Sequence, residues 1–164
     1  MPLISFATGL ITYVAQNYGA KDFRRIKSGV NISSLINIIL SISLAVIMRL
    51  WGAQIVGLFI GTNSQEIIQI AHEYLLISTV FYFFIGQMFI YRNALQGMGA
   101  TVVPILACTA ELFVRMFMAI YLAIKIGYVG IFYAGPIAWL SAAVIVTIGY
   151  FMSLKSIAIK ALHK

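Results

Sequence analysis

Glu111 and Arg115 are the residues of this sequence best placed for chemistry. They sit four apart in "CTAELFVRMF", on one face of a helix and well inside a long apolar run. A carboxylate there can carry a proton through a low-dielectric region, or it can neutralise the guanidinium beside it. Each charge alone costs roughly 2.5–3.5 kcal/mol at the centre of a membrane helix. The i, i+4 spacing, with glutamate on the N-terminal side, lets the two offset much of that. A carboxylate held by a guanidinium is poorly suited to releasing and rebinding a proton, so the favoured reading is an ion pair that locks this helix against its neighbours. Other chemistries find little support. His72 and His163 are too far apart for their spacing to argue a zinc site. No Ser/His/Asp arrangement or phosphate-cradling glycine loop is visible, so neither a catalytic residue nor a metal or organic cofactor is expected.

Three polar stripes run through other apolar stretches. Thr8, Thr12 and Gln16 are spaced by four, as are Ser33, Asn37 and Ser41, and as are Tyr74, Ser78 and Tyr82. Such spacing places each set on one helix face. In lipid these groups face other helices or a water-filled cavity, so the stripes either hold helices together or line a substrate path. The aromatic run "FYFF" at 81–84 covers every face of a helical turn. Some of its rings must meet lipid, and one or two can stack on a flat cation.

The elements that carry these residues follow from composition. Of the 164 residues, 62% are hydrophobic and only 9% are charged, against about 25% charged in a soluble domain. Water is therefore the wrong solvent, and a lipid bilayer is the expected partner. The reading is an all-α, polytopic membrane helix bundle. A spanning helix needs roughly 20 predominantly apolar residues, and five stretches qualify: 2–19, 30–50, 74–92, 102–124 and 128–152. "WGAQIVGLFIGTNSQEIIQIAHE", between the second and third, reads as a turn plus a short amphipathic helix at the membrane surface. The start "MPLISFATGL" lacks the basic n-region of a secretory signal. Cys108 is the single cysteine, which excludes a disulfide within the chain.

The net charge of +7 reads as a topological signal rather than a nucleic-acid footprint, because the charges sit at the ends of apolar segments. Lys21, Arg24, Arg25, Lys27, Arg92, Lys155, Lys160 and Lys164 fall on one side of a five-span bundle. Arg49 and Lys125 fall on the other, with Trp51 beside Arg49 as an interfacial anchor. Positive residues stay in the cytoplasm, so the N-terminus is expected outside and the C-terminus inside the cell membrane. "QNYGA" at 16–20 and "QGMGA" at 96–100 share Gln, Gly and Ala just after helix ends, a weak sign of an internal repeat.

"VAQNYGAKDFRRIKSGV", followed by a long apolar helix, resembles the cytoplasmic loop of multidrug and toxic compound extrusion (MATE) transporters. "YRNALQGMGATVVP", "ELFVR" and "GYVGIFYAGPIAW" follow in the order seen in the C-terminal half of such proteins. The resemblance implies that residues 2–152 match the last five of twelve spanning helices, with the N-terminal lobe absent. It implies a secondary antiporter that exports organic cations or amphipathic drugs in exchange for H⁺ or Na⁺ through a cavity between two lobes. Thr8, Thr12, Gln16, Asn37, Ser41, Ser78 and Tyr82 are the candidate cavity residues. Gln16, Asn17, Tyr18, Gly19, Ala20, Arg24 and Arg25 match the family's loop, and Glu111 with Arg115 its helix-packing pair. The 74–92 stretch contains no Asp or Glu, unlike family members with an acidic residue in the tenth helix, so no ion site is carried over. The competing readings are a lipid-linked saccharide flippase of the same superfamily and a non-transporting membrane helix bundle.

Overall fold

The computed structural model describes residues 2–60 and 65–162, and six helices account for nearly all of them. They are α1 (Pro2–Gly19), α2 (Phe23–Ile60), α3 (Gln65–Val80), α4 (Tyr82–Gly97), α5 (Val102–Ile126) and α6 (Tyr128–Leu162). No strand occurs among the described residues. Three of the helices, α2, α5 and α6, are long and apolar enough to cross a bilayer, and α3 with α4 add a fourth if the bent pair is one span. The expected first span forms as α1, 18 residues long.

Two expected boundaries are corrected. Residues 51–60 are not a turn. They continue α2, whose 38 residues make a rod about 57 Å long at ~1.5 Å per residue. Nothing in this stretch breaks a helix: it contains no proline, and Gly52 and Gly57 stand singly, each costing only about 1 kcal/mol relative to alanine. Gly52 also lets α3 come close, because a Cβ there would lie 2.6 Å from the His72 ring.

The expected 74–92 span is not one helix either. α3 and α4 meet at Phe81 with a bend of 49°. Just before the bend, the Thr79 hydroxyl donates to the carbonyls of Leu75 (2.8 Å) and Leu76 (3.1 Å). Such back-bonding competes with the helix ladder and bends it. Phe81 N–H then bonds the Ser78 carbonyl, three residues back, at 3.1 Å, and its own backbone sits at φ −95°, ψ 1°.

α4 is the central strut, packed on α1, α2 and α6, while α5 lies at the edge, chiefly against α6. The core runs through Val14, Ile26, Ala94, Leu95, Val146 and Tyr150, all almost fully buried. Small residues set the close approaches. A Cβ at Gly97 would lie 2.8 Å from the Ile11 carbonyl oxygen, so α1 and α4 can touch only because that position is glycine.

Candidate functional site

The three polar stripes part company in three dimensions. On α2, Ser33, Asn37 and Ser41 are all buried. The Asn37 amide donates to the Phe83 carbonyl of α4 at 3.1 Å and to Gln87 Oε1 at 3.4 Å. Ser41 Oγ donates to Asn37 Oδ1 at 3.4 Å. This junction is tight: a Cβ at Gly86 would collide with the Asn37 amide. Through Asn37 the stripe joins α2 to α4. Its partners in α4, Gly86 and Gln87, escaped the sequence reading; a Gly–Gln pair inside the apolar run "FIGQMF" was the only signal.

On α1, by contrast, Thr8, Thr12 and Gln16 are all exposed on the outside of the bundle. On α3, Ser78 is buried and its Oγ has no hydrogen-bond partner among the described residues, while Tyr74 is exposed and its ring meets Phe132 of α6 at 5.4 Å. Tyr82, at the start of α4, is half-buried, with Trp139 of α6 at 6.3 Å between ring centroids. Among the expected cavity residues, Asn37 and Ser41 share a hydrogen bond.

Past the bend, the aromatic run turns its rings to different neighbours. Phe83, Phe84 and Tyr91 of α4 face Leu140, Val144 and Thr147 of α6 across a cavity of about 300 Å³. No charged residue lines it. Aromatic faces carry negative quadrupole density and attract cations, so this open cavity can take a flat apolar or cationic ring. Only the aromatic run hinted at it, because residues from α6 complete the wall.

Glu111 and Arg115 form their hydrogen-bonded ion pair within α5. They do not lock α5 against a neighbour among the described residues. Arg115 is about half exposed (side chain 47%) and Glu111 much less so (17%), and around them Leu112, Phe113, Met116 and Phe117 all point outward. The spacing was enough to pair the charges but could not say which way the pair would face.

The loop motif resolves into a helix-ending turn. Lys21 N–H bonds the Tyr18 carbonyl (3.0 Å) and Asp22 N–H the Asn17 carbonyl (2.9 Å), the two bonds of a Schellman cap. The left-handed residue is Lys21, at φ 58°, rather than Gly19. Asn17 is buried and donates to the Tyr13 carbonyl at 2.8 Å. Asp22 then accepts from Arg25 N–H at 3.0 Å, which caps the start of α2. Arg25 is also loosely paired with Asp22, and Arg24 is exposed. The α4–α5 turn repeats the two backbone bonds, with Gly99 at φ 76° and Ala100 N–H on the Leu95 carbonyl at 2.9 Å, but Thr101 makes no side-chain bond to cap α5. The two turns are thus equivalent in their backbone bonds, but Lys21 matches Gly99, two residues out of register with the letters shared by "QNYGA" and "QGMGA". Just before the second turn, Arg92 stacks on Phe89 at 4.8 Å and donates to Cys108 Sγ of α5 at 3.2 Å.

The model of the MatE family matches residues 1–121. A relative from Bacillus subtilis (strain 168), the "Probable multidrug resistance protein YoeA", is 28% identical over 104 residues, which is 63% of this chain and 22% of the relative. The matched part is thus under a quarter of that relative's length. No solved structure matches the chain.

Proposed function

From the premise that this chain belongs to the MatE family, we propose that it forms part of a secondary active multidrug efflux antiporter. That transporter exports organic cations or amphipathic drugs in exchange for H⁺ or Na⁺. MatE proteins are transporters rather than enzymes, and the Bacillus relative carries a multidrug resistance name. The observation that carries the substrate class is the uncharged aromatic cavity between α4 and α6, since a cationic ring meets attraction there and no fixed positive charge. The exposed Thr8–Thr12–Gln16 face of α1 supplies a polar surface that a second lobe closes into the transport cavity. Alternating access requires two lobes moving about a central site, so the partner is an N-terminal lobe, encoded with this chain or separately. The charge distribution supports a cell-membrane orientation with the Lys21–Lys27 turn and the C-terminus in the cytoplasm.

The test is export of ethidium from a pump-deficient host. The 164-residue chain alone should insert without exporting, and joining it to a matching N-terminal lobe and the helix preceding α1 should restore export. In the joined protein, Phe84→Ala and Tyr91→Ala should reduce export of flat cations more than that of non-aromatic substrates, and Thr12→Leu should shift substrate preference. Ion-dependent export by the chain alone would overturn the need for a second lobe. Unaltered preference in both aromatic variants would remove the cavity from the substrate path.

A further inference from the structure

Arg49 is a charge without a partner. It projects from α2 in an exposed position, and no hydrogen bond or ion pair to it occurs among the described residues. It lines a groove of about 510 Å³ whose other walls are Leu76, Ile77 and Val80 of α3, Phe81 at the bend, and Tyr133 of α6. That volume lies within the roughly 300–1,000 Å³ range of small-molecule sites. The groove lies at the 49° bend between α3 and α4, with α2 on one side and Tyr133 of α6 on the other.

The depth of Arg49 follows from helix geometry. It lies 22 residues after Lys27 on one continuous helix, about 33 Å along at ~1.5 Å per residue. The hydrocarbon core of a bilayer is about 30 Å thick. With Lys27 at one headgroup layer, Arg49 reaches the other, and the apolar walls of the groove run from it back into the acyl region. Charge decides the class of occupant. A guanidinium at the mouth repels the organic cations proposed for the α4–α6 cavity, so this is not a second copy of that site. A phosphate diester meets its donor geometry in a bidentate manner, and the Tyr133 hydroxyl has no partner among the described residues.

We propose that the Arg49 groove is a binding site for an anionic phospholipid, with the phosphate on Arg49 and an acyl chain along Leu76, Val80 and Phe81. A guanidinium that merely snorkels to water is indifferent to the headgroup beside it, and this difference can be measured.

The full chain, purified in detergent and exchanged into mixed micelles of phosphatidylglycerol or phosphatidylcholine, is analysed for retained lipid by native mass spectrometry. The basic turn at Lys21–Lys27 also attracts anionic lipid, so the quantity read is the change between variants. The unmodified chain should retain several-fold more phosphatidylglycerol than phosphatidylcholine. Arg49→Gln should lose most of that preference, whereas Lys125→Gln, which removes the same charge elsewhere, should keep it. Val80→Trp fills the groove from an exposed position (67%) with Arg49 intact, and should lower retention of phosphatidylglycerol. Inorganic phosphate should not displace the lipid. Equal losses in Arg49→Gln and Lys125→Gln, full retention in Val80→Trp, or displacement by phosphate alone would each overturn the assignment.

Discussion

Asn37 and Glu111 each carry a polar group through an apolar helix, each with a polar residue four positions further on, yet their bonds run in different directions. Asn37 is 2% exposed, and its amide reaches across to the backbone of α4. Glu111 reaches only along its own helix, to an arginine that is about half exposed. The first arrangement binds two helices together, and the second asks nothing of a neighbour. Identical spacing therefore serves two ends, and what separates them is the opposite face. Gly86 lets α4 close on Asn37, whereas Leu112, Phe113 and Met116 keep the surface beside Glu111 apolar and open.

The largest effect that sharpens this contrast is expected at the self-contained pair. Glu111→Ala strands Arg115 in the span, and Glu111→Ala/Arg115→Ala removes both charges. In a translocon insertion assay on α5, the single variant should insert about 2.5–3.5 kcal/mol less favourably than the double variant. Equal insertion of the two would show that the side chains do not compensate each other.

At the seam the effect is steric and somewhat smaller. Gly86→Val places atoms where the Asn37 amide sits, and overpacking of this kind costs about 1–3 kcal/mol. Reversible unfolding in mixed micelles should show the loss, and adding Asn37→Ala should recover part of it. A loss that Asn37→Ala leaves untouched would mean that something other than this contact limits the approach of α4.

The smallest effect is that of the hydrogen bonds themselves. Asn37→Ala in the native background should cost only about 0.6 kcal/mol, the average for such bonds between membrane helices. The same unfolding measurement reads it, and a loss as large as that of Gly86→Val would make hydrogen bonding, not close packing, the main tie between α2 and α4.

Much of this architecture was legible before any coordinates. Apolar run lengths located α1, α5 and the start of α6 to within a few residues, because length and hydropathy alone decide them. The end of α2 was missed because the stretch from Trp51 to Glu73 mixes apolar and polar residues, although no residue from Trp51 to Ile60 stops a helix. The bend at Phe81 leaves no mark on hydropathy, which stays apolar through "TVFYFF". The site was less legible than the fold. Spacing put Asn37 and Ser41 on one face and paired Glu111 with Arg115, but inside versus outside was settled by residues on other helices, Gly86 and Trp139 among them.

Lys21 takes a left-handed backbone that Gly99 occupies freely in the twin turn. For a residue with a Cβ, that conformation costs roughly 1–2 kcal/mol. The two backbone bonds of the cap, from Lys21 N–H to the Tyr18 carbonyl and from Asp22 N–H to the Asn17 carbonyl, hold the turn against that strain. A glycine at position 21 would keep both bonds and carry no such cost, so the first hairpin has a reserve of stability that the second already uses.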